Sequence, residues 1–246
     1  MKKEFVQTSN YERFVDGLAA VNGRGAVEAS LMLVTGEAGF GKSETVDRYA
    51  TQANAAYLRA KVEWTPHYFM TELADHLKVD SRGRSRELFA RVASYLGRHQ
   101  TPLVIDEVEH CLRLGAAVLE SIRDLSDLTE VTVILVGMEQ VQAKIARYPQ
   151  ISSRIAHVVN FGPATLDDVR AVCNQLCEVK VAEDLAAEIH RQSKGRIREV
   201  MNAIALCERE ARRNGVEKIG LAQMGNRPLT LDWQARRPRA VQSGGR

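Results

Sequence analysis

The sequence predicts an α/β protein in which a parallel five-stranded sheet is flanked by helices and followed by a small all-helical domain. In the first two thirds of the chain, strand-length apolar runs alternate with helical patterns, an order typical of parallel sheets. After Gly162 and Pro163, only helical patterns remain. With 45% hydrophobic and 26% charged residues, the composition is that of an ordinary globular protein.

Five apolar runs are predicted as strands, and several are so continuously apolar that both faces should be buried. The strands are Leu31–Thr35, Ala56–Arg59, Leu103–Asp106, Val131–Gly137 and His157–Phe161. The helical spacing of apolar residues predicts helices around them. These helices are Asn10–Val21, Pro66–Leu77, Ser85–Arg98 and Gly115–Leu125.

The C-terminal part reads as three helices. Thr165 and Asp168 resemble a capping pair that opens the first, Leu185 and Ile189 mark the second, and Gly215 ends the third. We therefore expect four regions. They are an N-terminal helix and lead-in (1–29), an α/β domain (30–163), a helical domain (164–220) and a basic, disordered tail (221–246).

Charge is concentrated in that tail. Residues 221–246 contain five arginines and one aspartate, a balance of +4, so the rest of the chain carries −1 of the total of +3. Basic tails bind nucleic acid or are simply solvated, and the sequence leaves both readings open.

The bulk sequence also predicts a compartment. No apolar run approaches the ~20 residues that span a bilayer, so we expect a cytoplasmic protein without a membrane partner. The four cysteines are expected to be buried thiols. A metal pair at Cys173 and Cys177 is the alternative, although no second pair has matching spacing.

The segment from Gly36 to Ser43 matches the pattern G-x-x-x-x-G-K-S between a strand and a helix. Its glycines allow backbone N–H groups to turn toward phosphate oxygens, Lys42 can reach the β- and γ-phosphates, and Ser43 can ligate Mg²⁺. We therefore predict an ATP-binding loop. Its residues are Gly36, Glu37, Ala38, Gly39, Phe40, Gly41, Lys42, Ser43 and Glu44.

A second motif lies about 65 residues further on. The apolar run Leu103–Ile105 leads into Asp106 and Glu107 at the carboxyl end of a strand. Asp106 is predicted to hold Mg²⁺, and Glu107 to activate the water that attacks the γ-phosphate. Together the two motifs predict an ATPase.

The phosphate-binding loop, the strand ending in Asp-Glu and the helical C-terminal region together resemble the AAA+ ATPases. Within that class the chain looks most like the MuB/TnsC-type transposition regulators. The resemblance implies an arginine finger at Arg154, with Arg147 as the competitor, and a lid arginine at Arg198 in the G-x-x-R motif from Gly195. A polar residue is also expected after Val136, where Glu139 and Gln140 are the candidates and neither is assigned.

Two groups of basic side chains could bind DNA phosphates. Arg82, Arg84 and Arg86 form a basic cluster, for which a solvated loop is the plain alternative. Lys61 is a second candidate, whereas its neighbour Trp64 reads as a core or subunit-interface residue.

The resemblance implies an ATPase that is slow and stimulated by assembly. It would form rings or filaments on double-stranded DNA without sequence preference, select target DNA and activate a transposase. Two alternatives stay open: a helicase-loader-like protein and an ExeA-like ATPase that remodels protein.

Overall fold

The structure, a computed structural model, describes residues 1–113, 115–225 and 228–230. The chain divides into two compact units. One is Gln7–Gly162, and the other combines Met1–Val6 with the chain from Pro163 onward. None of the helices in these described ranges is long and apolar enough to cross a membrane.

The unit Gln7–Gly162 is a parallel sheet wrapped by helices. Its strands are β1 (Leu31–Gly36), β2 (Ala56–Arg59), β3 (Leu103–Asp106), β4 (Val133–Val136) and β5 (Ile155–Phe161). Its helices are α1 (Ser9–Asn22), α2 (Lys42–Ala53), α3 (Pro66–His76), α4 (Ser85–His99), α5 (Ala117–Thr129), α6 (Val141–Ile145) and α7 (Pro149–Ser152), with a 3-10 helix at Val108–Leu112.

All five strands are parallel, in the order β2-β3-β4-β1-β5, which confirms the predicted sheet. Strands β1, β3 and β4 are buried along their whole length because helices cover both faces. On one face Leu33, Ile105 and Leu135 belong to the larger apolar cluster, which includes α3, α4 and α5. On the other face Val34 and Val136 join the cluster that includes α1 and α2.

The second unit is mainly helical. It contains α8 (Leu166–Leu176), α9 (Glu183–Ser193), α10 (Ile197–Asn214) and α11 (Leu221–Met224). Two short strands, β6 (Lys180–Val181) and β7 (Lys218–Ile219), pair in parallel, so the unit is helical with one small ladder rather than all-helical. The capping pair at Thr165 and Asp168 is present, with reciprocal hydrogen bonds of 3.1 and 2.8 Å.

The predicted boundary at residue 220 needs correction. Helix α11 begins at Leu221, and both Met224 and Leu229 are buried in the apolar core of the helical unit. Their burial removes apolar surface from water, so the core extends past the residue where a tail was expected to start. The rest of the predicted tail, residues 226–227 and 231–246, lies outside the described residues.

The four cysteines are buried free thiols. Burial raises the pKa of Cys111, Cys173 and Cys207 to about 12. Such thiols stay protonated and behave as small apolar groups in the two cores.

Candidate functional site

The segment from Gly36 to Ser43 joins the end of β1 to the start of α2. Its peptide groups are turned by glycines with positive φ, at 151° for Gly36, 92° for Gly39 and 87° for Gly41. Among the described residues, no side chain caps the first turn of α2. The N–H groups at the start of an α-helix and the positive end of its dipole together form an arrangement that binds phosphate.

Two positions in this loop depend on glycine. A Cβ atom at Gly36 would lie 2.5 Å from the backbone oxygen of Phe161 on the neighbouring strand, so no side chain fits there. Gly41 takes a left-handed conformation that side chains disfavour. The Lys42 Nζ donates to the carbonyls of Gly36 and Glu37, at 2.5 and 2.9 Å, and therefore lies over the loop.

Ser43 and Glu44 follow in the first turn of α2, and both are exposed. Phe40 is buried in the apolar cluster on the α1 and α2 side of the sheet, which anchors the middle of the loop. The loop residues that were predicted from the sequence thus form one continuous turn at the carboxyl edge of the sheet.

Asp106 ends β3 at that same edge, two strands from β1. At the usual strand spacing its lateral separation from β1 is about 10 Å. The carboxylate is buried with both oxygens held, because Tyr57 donates its hydroxyl to Oδ2 (2.7 Å) and the Glu107 N–H donates to Oδ1 (2.8 Å). Burial and this bond raise the pKa of Tyr57 to about 12, so the hydroxyl stays a donor.

Glu107 has a left-handed backbone, with φ at 56° and ψ at 40°. This conformation costs a non-glycine residue on the order of 1 kcal/mol. Its carboxylate lies 3.8 Å from the Arg59 Nε and 3.7 Å from the His110 Nε2. Two basic side chains therefore flank the predicted catalytic carboxylate, and the sequence pattern predicts neither of them.

A carboxylate that the sequence pattern does not predict lies next to the end of β4. Oε2 of Glu109, from the 3-10 helix, accepts a long hydrogen bond from the Met138 N–H at 3.4 Å. A Cβ at Gly137 would be 2.8 Å from the same oxygen. Glu109 thus covers the strand end, whereas Glu139 and Gln140 are exposed beyond it.

Arg154 is not brought to the phosphate-binding loop of its own chain. It precedes β5, and its carbonyl accepts from the Leu31 N–H at the beginning of β1, 3.0 Å away. Gly36 lies five residues further along β1, about 16 Å at the rise of a strand. Arg154 therefore lies at the amino ends of the strands, whereas the loop lies at their carboxyl ends.

The Arg154 guanidinium is held by an acidic side chain of α5. Its Nε donates to both carboxylate oxygens of Asp127, at 2.9 and 3.2 Å. The hydrogen bond to Asp127 raises the pKa of Arg154. The competing Arg147 is exposed in the turn between α6 and α7. Arg198 is exposed at the second position of α10, in the helical unit.

The two groups of candidate DNA contacts lie close together. Lys61 lies beyond the end of β2 and pairs with Glu72 of α3 at 2.8 Å. At the beginning of α3, the His67 Nδ1 is 3.1 Å from the hydroxyl of Ser85, which opens α4. This contact places the arginines around Ser85 near the loop that contains Lys61. We call Lys61, Arg82, Arg84 and Arg86 the basic surface.

Within the basic surface the four cations are not equally available. Arg82 pairs with Asp80 at 3.1 Å but keeps 90% of its side chain exposed. In the described part of the chain, Arg84 and Arg86 form no ion pair. Arg91 of α4 donates to the carbonyls of Asp80 and Arg82 and so holds the loop that precedes α4 in place.

Trp64 is not part of the basic surface. It is 4% exposed, packs against Phe69 and donates its indole N–H to Glu72 at 2.9 Å. It is a core residue, one of the two readings that the sequence allowed.

Comparison with known proteins agrees with this geometry. Residues 26–145 match the AAA domain family. The chain is 27% identical to the ATP-dependent target DNA activators B of Escherichia phages Mu and D108, over 59% of its length and 48% of theirs. It is also 27% identical to a potential ATP-binding protein of Staphylococcus aureus, over 48% of this chain and 45% of that one. The chain thus spans about half the length of these relatives.

Solved structures share the fold at lower identity. Cdc6p of Pyrobaculum aerophilum aligns with a TM-score of 0.63 at 18% identity, over 89% of this chain and 66% of that one. The Orc1 protein of Aeropyrum pernix, solved in complex with DNA, gives 0.59 at 16% over 89% and 64%. The RuvB branch migration motor of Thermotoga maritima gives 0.60 at 17% over 89% and 67%.

The phosphate-binding loop and the Asp-Glu strand end therefore lie at the carboxyl ends of strands in the predicted parallel five-stranded sheet, and the C-terminal unit is mainly helical. The match over residues 26–145 and the similarity to the two phage activators support the same assignment. Residues 26–145 thus match the AAA domain family, the chain has the P-loop fold of the AAA+ class, and it resembles the MuB-type target DNA activators.

Proposed function

We propose that this protein is an ATP-dependent DNA-binding ATPase that assembles on double-stranded DNA and regulates transposition. The observation that carries the proposal is that the nucleotide loop follows the carboxyl end of β1 while Lys61 of the basic surface follows the carboxyl end of β2 in the same parallel sheet. The contact between His67 and Ser85 brings the arginines of the basic surface to the same region. The phage relatives named as ATP-dependent target DNA activators support the step from DNA binding to target selection and transposase activation.

The chemistry assigned to the site is hydrolysis of the β–γ phosphate bond. Ser43 and Asp106 offer the hydroxyl and carboxylate oxygens that Mg²⁺ prefers, and Asp106 is already oriented by two hydrogen bonds. Bound Mg²⁺ would neutralise charge on the phosphates. Glu107 accepts a proton from water as the water oxygen bonds to the γ-phosphorus, and the β–γ bridging oxygen leaves with ADP.

A second copy of the chain completes this site. Measured along β1, Arg154 lies about 16 Å from the phosphate-binding loop of its own chain. Its guanidinium is therefore assigned to the ATP of a neighbouring subunit. There it offsets charge that develops in the transition state, an effect worth ~10³–10⁵ in rate in related enzymes. Turnover is accordingly slow in the monomer and stimulated by assembly. Arg198 stays the lid arginine that the resemblance predicts.

DNA binding is assigned to the basic surface. Exposed arginines that meet phosphates release counterions, which gives salt-dependent affinity without sequence preference. Arg84 and Arg86 are the strongest candidates because no carboxylate of the described chain pairs with them. Lys61 contributes less, since Glu72 already holds it at 2.8 Å.

The test is fluorescence anisotropy with a labelled duplex, measured against salt with ATP, with ADP and without nucleotide. ATP should tighten binding, and replacing Arg82, Arg84 and Arg86 with alanine should lower the slope of log affinity against log salt by about 3. Arg98→Ala, at the opposite end of α4, is the control and should change the slope by no more than about one contact. Nucleotide-independent binding with an unchanged slope in the triple variant would refute the proposal.

A further inference from the structure

Arg154 is held by its backbone on two sides and by its side chain on a third, although it lies at the surface. Its N–H donates to the Ile151 carbonyl and its own carbonyl accepts from Leu31, both at 3.0 Å, so the backbone is held between α7 and the beginning of β1. Asp127 then binds the Nε edge of the guanidinium through both carboxylate oxygens. A flexible side chain is thereby limited to a narrow range of orientations.

The contacts leave the outer end of the guanidinium available. Nη1 makes only a long contact with the Ser153 hydroxyl at 3.4 Å. Within the described residues, Nη2 donates no hydrogen bond. The guanidinium is planar and presents its donors in a fixed fork. Because Asp127 binds Nε, it fixes the direction of the terminal nitrogens, which can then bind a further anion.

Asp127 is itself positioned. Arg123, one turn earlier on α5, approaches the Asp127 Oδ2 at 3.9 Å and also contacts Asp124. The Arg154 and Asp127 side chains are about equally exposed, at 30% and 29%, so a pair of this kind adds little to folding stability. The contribution of this pair to folding is therefore small, and its main effect is on the orientation of the Arg154 guanidinium.

We propose that Asp127 is a positioning residue that presents the terminal nitrogens of Arg154 to the ATP of a neighbouring subunit. This inference rests on the proposed function, in which Arg154 acts between subunits. Asp127 does not touch the nucleotide. It acts through the orientation of Arg154, where a displacement of about 1 Å costs on the order of 100-fold in rate.

Mixed assemblies test the two ideas separately. An Arg154→Ala subunit retains Glu107 but offers no guanidinium to its neighbour. A Glu107→Gln subunit binds ATP and offers Arg154, but it does not turn ATP over. Each variant alone should be inactive, and an equal mixture should regain ATPase activity on DNA. A mixture that stays inactive overturns the intersubunit role of Arg154 in the proposed function, and the positioning role of Asp127 with it.

The positioning role is then tested by a second change in the donor. A Glu107→Gln donor that also carries Asp127→Ala should restore about 10- to 100-fold less turnover, with an unchanged KM for ATP because the acceptor binds the nucleotide. Asp127→Glu in the same donor should recover part of the loss. Asp124→Ala is the matched control, since Asp124 pairs with Arg123 and not with Arg154.

Melting temperatures of the Asp127→Ala and Asp124→Ala donors should agree, since both residues form exposed pairs. If the mixture with the intact Glu107→Gln donor is active and the Asp127→Ala donor restores equal or greater turnover, Asp127 does not position Arg154, while the intersubunit role of Arg154 stands. A fall in turnover that the Asp124→Ala donor matches leads to the same conclusion.

Discussion

Replacing Tyr57 with phenylalanine isolates one contact at the predicted metal carboxylate. The ring keeps its place beside the apolar cluster of the α1 and α2 face, and only the hydroxyl that donates to the Asp106 Oδ2 at 2.7 Å is lost. Asp106 is 3% exposed, so water cannot readily replace this donor. The Arg59 Nη2 also lies near that oxygen, but it is 3.9 Å away.

The expected loss follows from the charge of the acceptor. A hydrogen bond to a charged group contributes about 1.5–3 kcal/mol, so Tyr57→Phe should lower the free energy of unfolding by that amount. For a cooperative unit of roughly 150 residues this corresponds to a fall in melting temperature of about 3–12 °C. The loss should be greatest without nucleotide, because Mg²⁺ bound beside Asp106 would stabilise the carboxylate in both proteins.

Differential scanning calorimetry without nucleotide measures this loss. Tyr49→Phe is the matched control, since it removes a half-buried hydroxyl whose pKa is raised by burial alone. The control should change stability by less than about 0.5 kcal/mol. If Tyr57→Phe melts with the control, the hydroxyl does not stabilise Asp106 and this part of the site is wrong.

Three further predictions concern the loop, the catalytic carboxylate and alkaline pH. Gly36→Ala should abolish binding of a fluorescent ATP analogue or prevent folding, because its Cβ would lie 2.5 Å from the Phe161 carbonyl oxygen; normal binding would contradict the loop geometry. Glu107→Gln should keep ATP affinity but lower phosphate release at least about 100-fold, and unchanged release would remove Glu107 from its role. The stabilisation linked to Tyr57 is present below pH 10 and lost as pH rises toward about 12, because its folded pKa is raised above the ordinary value of 10.0. Chemical denaturation should therefore show a steeper alkaline loss for the native protein than for Tyr57→Phe, and parallel losses would exclude this linkage.

Local pattern predicted much of the fold. The strands Ala56–Arg59 and Leu103–Asp106 have the predicted boundaries, and the helix at Ser85 ends one residue beyond its predicted end. These elements are specified by the spacing of apolar residues within each segment, which the sequence alone shows. The boundary at residue 220 was wrong because burial of Met224 and Leu229 depends on packing against residues far away in the chain.

The site was predicted only in part, for the same reason. Gly36–Ser43 and Asp106–Glu107 are contiguous motifs, and the sequence shows them directly. Arg59 becomes a neighbour of Glu107 only because β2 pairs with β3 and sets Arg59 opposite Asp106. Sheet register of this kind is a tertiary property.

The position of Arg154 is a second case. Its separation from the nucleotide loop and its pairing with Asp127 follow from the packing of α5 beside the beginning of β1, across 27 residues of sequence. The resemblance suggested a role for Arg154 but did not identify the carboxylate that orients it.

The most direct test of the account is electron microscopy of the Glu107→Gln protein with ATP, Mg²⁺ and duplex DNA. This variant should hold ATP without turnover, so assembly is trapped rather than transient. We predict rings or filaments on the DNA that disappear when ATP is omitted or when Lys42 is replaced by alanine. Bare DNA and single protein particles in the presence of ATP would contradict the claim that nucleotide joins copies of this chain on DNA.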